Sequence, residues 1–462
     1  MRHLKYFTAL GLVLAASPAF SAPISFADFT PLGASVAGGS LPEDRPFQLS
    51  SSSFRQETLN ANDLGAQNGG VRLGDNWDMN TLNENGPQAG RYLFTPYEVF
   101  SVSTPAAGVR RLDVTTGKAE TIVAEGAQGF VAGDASRWTP FGTYLTAKES
   151  WGAGSTKGRL FEVTDPLAAA GATGFVERTI IPHVSHEGLA FDADNNMYFI
   201  DEFSGGSIYK YVSSTPDAGV TFFDAGETFV LKVGAGGNTD AVGASTWEKI
   251  TNADGSAVNA GATIALGVDG RLAADLAGGT NFNRPEDLEI QTRAGGEQVL
   301  YFAATASSTG SAGAVFAIGL TSATDANVTL FANRDTQKRG TAAAVGNEFT
   351  NPDNLAIDSL GNIYIIEDQP GGTADIWFTY DIDFDGVAES LARWASLSTL
   401  GAEPTGLYFD PFNSRVAYVN VQHANSDIDR TIRFTIVPEP ETIGLLLGGL
   451  GLLGGMVRRR RD

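Results

Sequence analysis

The stretch that decides the fold runs from His183 to Gly206 and reads HVSHEGLAFDADNNMYFIDEFSGG. It contains two short apolar runs, 189–191 and 197–200, separated by the polar segment DADNN. Short β-prone runs on either side of an Asp/Asn cluster predict an antiparallel hairpin. The pair HE precedes the first run and the pair DE follows the second. Acidic groups thus stand at strand ends, where a rigid scaffold can direct them at one point, or where they only keep loop ends in solvent.

The same hairpin pattern recurs three more times along the chain. It returns at 284–303 (RPEDLEIQTRAGGEQVLYFA), at 351–368 (NPDNLAIDSLGNIYIIED) and, with fewer acids, at 404–421 (PTGLYFDPFNSRVAYVNV). One unit repeated at irregular spacing predicts an all-β fold, a β-propeller with unequal blades. The starts of the blades would then face one end of the central channel, and their acids would face it too.

The composition limits the class of partner and site. The chain has 31 basic and 53 acidic residues, a formal net charge of -22, which excludes nucleic acid as the expected partner and favours cations. It has no cysteine, so disulfides, zinc–thiolate sites and a thiol nucleophile are excluded. A hydrophobic content of 42% is enough for a large core. We also expect the protein to be a monomer.

Both ends of the chain carry targeting patterns. Residues 1–21 combine an early positive charge, an apolar segment and small residues before the cleavage point, which predicts a secretory signal peptide. Residues 437–462 contain VPEP, an uncharged apolar run at 443–457 and four arginines, which predicts a short transmembrane segment with a cytoplasmic basic end. The domain between them is predicted to span 22–436.

Two further stretches carry candidate metal ligands. In 133–152, Asp134 and Glu149 flank a β-prone run and are either oxygen ligands brought together by a hairpin or structural acids. In 380–392, Asp381, Asp383 and Asp385 precede a glycine, as in the opening of a calcium loop, but the twelfth position is alanine. This stretch is either a separate partial calcium loop or a solvated acidic turn. Residues 213–279 are rich in Gly and Asp and are predicted to form long surface loops.

The motifs TPFGTYLTAKE, HEGLAFD, RPEDLEI and NPDNLAID, in this order, resemble the PhoX-type alkaline phosphatases over roughly 133–423. The resemblance implies a propeller of six blades that hydrolyses phosphate esters with iron and calcium in the central channel. The tail resembles the PEP-CTERM sorting signal, which implies processing by an exosortase. It also implies a Gram-negative bacterium and a location in the periplasm, at the cell surface or in the extracellular matrix. A plain C-terminal anchor is the alternative.

The resemblance also assigns positions in the site. The residues that match the family's motifs are Glu149, Glu187, Glu286, Asp353, Asn354 and His423. Of these, Glu149, Glu187, Glu286, Asp353 and Asn354 are predicted, together with Asp134, to be the metal ligands. Arg284 would steady a phosphoryl oxygen, or it is a simple ion-pair partner. The chain departs from the family at two places: Asp134 stands where members have a cysteine that bridges the irons, and Lys148 replaces an acid. Asp134 suits a hard cation such as calcium, which leaves iron in doubt.

Two functional classes follow. The first is an exported, metal-dependent phosphatase acting on a small phosphate ester, which the retained Glu and Asp positions and the family resemblance favour. The second is a non-catalytic, calcium-binding propeller of the cell surface or matrix, which the missing cysteine, Lys148 and the sorting tail favour.

Overall fold

The computed structural model describes residues 25–101, 105–150, 158–305, 313–368 and 374–437. The predicted signal peptide and nearly all of the predicted tail, including the apolar run at 443–457, lie outside these residues. Thirty strands, β1 to β30 in chain order, and one α-helix, α1 (Gly270–Ala277), form the described part of the chain. The predicted all-β class is confirmed, and the sheets have a propeller-like arrangement.

Each large sheet is built from antiparallel strands that follow one another along the chain. One sheet contains β3 (Thr81–Leu82), β4 (Tyr92–Pro96), β5 (Val109–Asp113) and β6 (Lys118–Val123). The next contains β7 (Gly133–Trp138), β8 (Tyr144–Lys148), β9 (Leu160–Val163) and β10 (Phe175–Glu177).

A nine-stranded sheet consists of two such meanders, which join where β16 pairs with β23. The first has β11 (Leu189–Phe191), β12 (Met197–Ile200), β14 (Ile208–Ser213), β15 (Gly226–Val233) and β16 (Gly243–Lys249). The second has β20 (Pro285–Thr292), β21 (Gln298–Ala304), β22 (Ala314–Leu320) and β23 (Asp325–Ala332). Two small ladders pair β13 (Ser204–Gly206) with β19 (Phe282–Asn283) and β17 (Thr263–Ile264) with β18 (Gly267–Val268).

The last two sheets are completed by strands from the start of the chain. One has β24 (Pro352–Ile357), β25 (Ile363–Glu367), β26 (Asp375–Thr379) and β27 (Ala392–Leu397), with β1 (Phe47–Leu49) paired to β27. The other has β28 (Glu403–Phe409), β29 (Val416–Gln422) and β30 (Arg430–Ile436), with β2 (Phe54–Ala61) paired to β30. Early and late strands therefore share ladders, which ties the two ends of the domain together.

The predicted hairpins are confirmed, and a shared turn explains why they recur. In the β11–β12 hairpin, Asp192 Oδ1 accepts hydrogen bonds from the backbone of Asp194 at 3.0 Å and Asn196 at 2.8 Å, and Tyr198 donates to Asp192 Oδ2 at 3.0 Å. In the β24–β25 hairpin, Asp358 and Tyr364 repeat this arrangement, with the tyrosine hydroxyl 3.1 Å from Oδ2. An aspartate that satisfies its own turn and receives a buried hydroxyl fixes the hairpin register.

The core lies between neighbouring sheets and is rich in aromatic rings. Trp394 of β27 packs edge-on against Phe434 of β30, with ring centroids 5.4 Å apart. The first strands of the meanders approach one another closely in the middle of the molecule. At Gly406 in β28, a Cβ atom would lie 2.6 Å from the backbone of Met79, so the close approach requires glycine.

The prediction of long surface loops within 213–279 is only partly right: 234–242 lies between two strands, but much of the stretch is regular structure. This stretch contains β15 and β16, the β17–β18 ladder and α1. Asp269 caps α1 by accepting a hydrogen bond from the backbone of Leu272 at 3.0 Å, and Gly278 ends it with φ of 73°. The Gly and Asp residues that suggested loops thus serve as turn and cap residues between short elements.

Candidate functional site

A cavity of about 310 Å³ lies where the first strands of the meanders begin and the second strands end. Its lining is almost entirely polar and includes ten carboxylates. The lining residues are Asp78, Glu98, Asp134, Glu149, Glu187, Glu202, Arg284, Glu286, Asp353, Asn354, Asp368, Glu403, Gln422 and His423. The prediction that acids from several hairpins face one end of the channel therefore agrees with the geometry.

The position of each acid follows from the repeated hairpin. Glu187, Glu286 and Asp353 occupy equivalent positions two residues before the first buried leucine of their hairpins. In a regular strand these acids would share the face of the leucine, but the ladders of β20 and β24 are irregular between Pro285 and Leu288 and between Pro352 and Leu355. The irregularity turns the acids away from the core and into a common space. The approach of neighbouring starts is tight: a Cβ atom on Gly188 would lie 2.4 Å from the backbone nitrogen of Leu288.

Asp134 and Glu149 meet because the chain folds back between them. Gly133 in β7 pairs with Lys148 in β8, and Asp134 and Glu149 each directly follow one of these paired residues, so the two carboxylates lie at the same end of the hairpin. The backbone of Glu149 donates to Ala132 at 3.0 Å and closes this end. The sequence predicted that Asp134 and Glu149 could be ligands of one site only if a hairpin brought them together, and the β7–β8 hairpin does so.

Three groups of side chains in the cavity have ligand atoms within 4.8 Å of one another. Two of them share Glu202, and the third includes a histidine. The groups are Asp134, Glu149 and Glu202; Glu187, Glu202 and Glu286; and Glu98, Glu403 and His423. Carboxylate oxygens at this spacing are the donor set that hard cations such as calcium bind in proteins.

Several carboxylate oxygens in the cavity are buried without a hydrogen-bond partner. They include Asp134 Oδ1, Glu149 Oε2, Glu187 Oε2 and Asp368 Oδ1. Glu187 is 3% exposed, so its oxygen is not satisfied by bulk water. A buried acceptor without a donor costs free energy, and a cation in the cavity would remove that cost.

The acids of the cavity also have raised pKa values, because they are buried close to one another. Burial and the charge of Glu98 raise the pKa of Asp78 to about 7 and that of Glu149 to about 8. Burial and neighbouring carboxylates also raise the pKa of Asp134 and Glu187 well above the usual range. A bound cation would reverse this effect, because an adjacent positive charge stabilises the ionised form.

Arg284 is the one arginine that lines the cavity, and it forms ion pairs there. Its Nη2 lies 3.0 Å from Glu202 Oε1, its Nε lies 3.0 Å from Glu286 Oε1, and its side chain is 29% exposed. Its backbone has φ of 49°, which turns the side chain toward the cavity. Arg284 therefore forms ion pairs, as expected if it is a simple ion-pair partner. Its guanidinium also remains partly exposed to solvent.

Asn354 is placed to orient another side chain. Its Oδ1 accepts hydrogen bonds from Thr405 Oγ1 at 2.5 Å and from the backbone of Gly406 at 2.7 Å. Its Nδ2 donates to Glu187 Oε1 at 3.5 Å. With its oxygen engaged, Asn354 presents a donor toward the cavity, whereas its neighbour Asp353 presents a carboxylate.

His423 lies at the cavity wall between two carboxylates. Its Nε2 is 3.1 Å from Glu98 Oε2 and 3.4 Å from Glu403 Oε1. Burial lowers the pKa of His423, but the hydrogen bond and charge of Glu98 outweigh it, so the pKa is raised. Lys148, the predicted departure from an acid, donates to Gly129 O at 3.3 Å and does not line the cavity.

Five lining acids were missed as site residues by the sequence reasoning. They are Asp78, Glu98, Glu202, Asp368 and Glu403. For two of them a signal exists: Glu202 and Asp368 each end the acidic pair that follows the second strand of a recognised hairpin. The others lie outside the acidic part of a recognised repeat.

The predicted calcium loop is separate from this cavity. Asp381, Asp383 and Asp385 lie between β26 and β27, with oxygens within 4.8 Å of one another. Asp381 is already engaged, because its Oδ2 lies 2.6 Å from Arg293 Nη2 and its Oδ1 accepts from the backbone of Asp385 at 3.1 Å. The loop is therefore held together by an arginine and by its own backbone.

Within the residues that the structure covers, no helix is long and apolar enough to cross a membrane. Residues 437–461 match the PEP-CTERM protein-sorting motif, which indicates exosortase-mediated sorting of an exported protein. No curated protein matches the chain.

Solved structures with a similar fold share little sequence with the chain. The PQQ-bound aldose sugar dehydrogenase of Streptomyces coelicolor is 12% identical, with 83% of this chain and 98% of that chain covered and a TM-score of 0.39. The α-L-arabinanase of Penicillium chrysogenum in complex with arabinobiose is 9% identical, with 78% and 93% covered and a TM-score of 0.40. A PL25 ulvan lyase is 11% identical, with 88% and 94% covered and a TM-score of 0.38.

The match to a family model covers most of the chain. Residues 49–425 match the model described as alkaline phosphatase PhoX, and this range includes every strand start that contributes an acid to the cavity. The chain belongs to the alkaline phosphatase PhoX family.

Proposed function

We propose that the protein is an exported, metal-dependent phosphoric ester hydrolase whose metal centre is the acidic cavity. The observation that carries this proposal is the set of buried carboxylate oxygens without hydrogen-bond partners, at Asp134, Glu149 and Glu187. A phosphate ester would be repelled by this cavity if its acids were bare. Cations must therefore be present before the substrate can approach.

The donor set favours calcium over iron. The cavity offers carboxylate oxygens and one imidazole, and the chain has no thiolate to supply. Hard oxygen donors suit calcium, which takes six to eight of them in flexible geometry. Asp134, at the position of the family's bridging cysteine, would serve as a further oxygen ligand. The residues that would hold the cations are Asp134, Glu149, Glu187, Glu202, Glu286 and Asp353.

The strand order supports six blades around the cavity. Each sheet of four or five strands provides one blade, and the nine-stranded sheet provides two. In this arrangement every blade contributes at least one acid, and the pairing of β2 with β30 closes the ring. Shared ladders between early and late strands also support a single domain, for which we propose the range 22–436, and a monomer.

Bound cations would polarise the phosphoryl group and make water a better nucleophile. The chain's own contribution would be to position the ester. Arg284 is the one guanidinium at the cavity and is 29% exposed, so it would donate to a phosphoryl oxygen while Glu202 and Glu286 hold its plane. Asn354 would keep Glu187 in one orientation through the bond from its Nδ2.

The alternative is a non-catalytic, calcium-binding propeller at the cell surface or in the extracellular matrix. The observation that favours it is the aspartate in place of the bridging cysteine. In that case the calcium in the acidic cavity would hold the centre of the fold together, and no phosphate ester would bind or react there. Either function would be performed in the periplasm or outside the cell after exosortase processing.

The test is metal analysis of the exported protein together with hydrolysis of a simple phosphate monoester, with calcium or with iron. We expect Glu187→Gln to reduce both metal content and turnover, the latter by orders of magnitude. Glu297→Gln is the matched control, because it removes the same charge from an exposed turn. Wild-type protein that retains metal but hydrolyses no phosphate monoester would support the structural alternative.

A further inference from the structure

A second and larger cavity, of about 910 Å³, lies at the opposite ends of the strands that carry the acids. β20 begins beside the acidic cavity with Glu286 and lines this second cavity from Glu289 onward. β24 likewise begins with Asp353 at the acidic cavity and lines the second cavity from Ala356 onward. Three residues of extended strand, about 10 Å, therefore separate the two cavities along each strand. We call this second cavity the distal cavity.

The distal cavity differs from the acidic one in the character of its walls. Its lining is rich in aliphatic and aromatic side chains, and its rim exposes three of them: Leu360 at 66%, Ile382 at 73% and Phe384 at 55%. The aromatic lining residues are Phe378, Tyr380, Phe384, Tyr408 and Phe409. Concave apolar surfaces with a few polar groups are the usual form of a site for a small organic molecule.

Only donors lack hydrogen-bond partners among the buried side-chain atoms of this lining. They are Arg293 Nε and Arg339 Nη1. Arg293 is 9% exposed, so its unpartnered nitrogen is shielded from bulk water. Its ion pair with Asp381 uses Nη2 and leaves Nε available. An unpartnered buried donor is costly, and an acceptor in the cavity would remove the cost.

The carboxylates of the same lining all have partners. Glu289 pairs with Arg137 at 2.6 Å, and Glu84 accepts from Tyr408 at 2.6 Å. Asp358 accepts from the turn backbone and from a tyrosine hydroxyl, as described above. The acids are thus satisfied within the protein, whereas two guanidinium nitrogens are not. The opposite holds in the acidic cavity, where carboxylate oxygens are among the unpartnered atoms.

Arg339 has no carboxylate partner in the part of the chain that the structure describes. Its guanidinium lies instead among three aromatic rings, 5.2 Å from the centroids of Phe29 and Phe378 and 5.9 Å from that of Tyr380. Such packing holds the charge at the cavity wall and limits its hydration, which strengthens its attraction for an anion.

We propose that the distal cavity binds a small organic anion with an aromatic body. Its carboxylate would accept hydrogen bonds from Arg339 and Arg293, and its ring would pack against Phe378 and Phe384. This site is distinct from the acidic cavity and does not depend on catalysis there. The lining as a whole is not positive, because it contains four carboxylates and three arginines. The anion would therefore be held by direct hydrogen bonds from Arg339 and Arg293 and not by a net positive field.

The experiment is calorimetric titration of the calcium-loaded protein with 2-naphthoate at low salt. The neutral amide of the same ring, 2-naphthamide, tests the charge, and acetate tests the ring. We expect saturable binding of one naphthoate per chain and at least tenfold weaker binding of both comparison compounds. No saturable binding of naphthoate, or equal binding of naphthamide, would overturn the proposal.

Variants locate the bound naphthoate. Arg339→Gln should weaken binding at least tenfold, and Lys338→Gln, which removes the same charge from a side chain paired with Glu348, should leave it unchanged. Leu360 is exposed at the rim, so Leu360→Glu should weaken binding and Leu360→Lys should not, without a cost to folding. Affinity that is the same in all four variants would place the ligand elsewhere and overturn the proposal.

Discussion

Removal of metal should make the stability of this protein fall as the pH rises. The acids of the acidic cavity are buried together, and without cations they resist ionisation. Burial and the charge of Glu98 raise the pKa of Glu149 from 4.5 to about 8 and that of Asp78 from 3.8 to about 7. In the unfolded chain both groups ionise near their ordinary values. Over the interval between these values, the folded state binds more protons than the unfolded state.

The sign and size of the effect follow from this difference in bound protons. When the folded state holds the extra proton, the free energy of unfolding falls with pH by about 1.4 kcal/mol per pH unit for each group. From pH 6.5 to 8, Glu149 alone therefore contributes a loss on the order of 2 kcal/mol. Burial lowers the pKa of His186 to about 3, which has the opposite sign but acts only below its unfolded value of 6.5. The window above pH 6.5 is therefore free of that contribution.

Urea denaturation at pH 6.5, 7.2 and 8.0 measures the effect, in EDTA and in calcium. In EDTA the free energy of unfolding should decrease across the series. In calcium the decrease should disappear, because cations stabilise the ionised carboxylates and bind the folded state. Glu149→Gln should reduce the slope in EDTA, whereas Glu297→Gln, in an exposed turn, should not. A flat or rising stability in EDTA would refute the reasoning.

The hairpins and their acids could be predicted because both depend on local sequence. The alternation of apolar residues sets the strands, and Glu187, Glu286 and Asp353 each stand two residues before a buried leucine, at the start of a hairpin. The turn aspartates Asp192 and Asp358 recur at fixed spacing from a tyrosine. Local sequence patterns therefore predict the structure of one hairpin and the residues at its ends, but not how the hairpins are arranged.

The rest of the site depends on contacts between distant parts of the chain. Asp78 enters the cavity because Thr405, more than three hundred residues later, lies 2.5 Å from its carboxylate. Glu98 and Glu403 meet around His423 for the same reason. The pairing of β2 with β30 is equally non-local, since nothing in the early, polar stretch distinguishes the strand that completes the last sheet. Periodicity along the chain cannot reveal such pairs.

The family resemblance predicts that Asp134 stands where members have a cysteine, and only the structure shows the surroundings of this aspartate. Asp134 is 5% exposed and its Oδ1 has no partner. An aspartate that had become merely structural would be expected to use both oxygens in hydrogen bonds. The orientation of Asp134 instead resembles that of its neighbours Glu149 and Glu187, each of which also keeps one buried oxygen unpartnered.

Three further predictions concern the fold that positions these groups. Tyr364→Phe should destabilise the domain by about 0.5–1.5 kcal/mol in urea denaturation, because it removes one of the two hydrogen bonds to Asp358 Oδ2 and leaves the one from Asn362 Nδ2 at 2.8 Å. Gly406→Ala should be more destabilising than Gly205→Ala: both have positive φ, but only at Gly406 would the new Cβ atom meet backbone atoms at 2.6 Å. The last prediction concerns the domain boundary. A mature chain that ends at Val437 keeps all of β30, so its melting temperature should equal that of the full mature protein. A chain that ends before β30 deprives β2 and β29 of their shared partner and should not fold. A large loss of melting temperature in the chain that ends at Val437 would show that residues beyond Val437 belong to the folded domain.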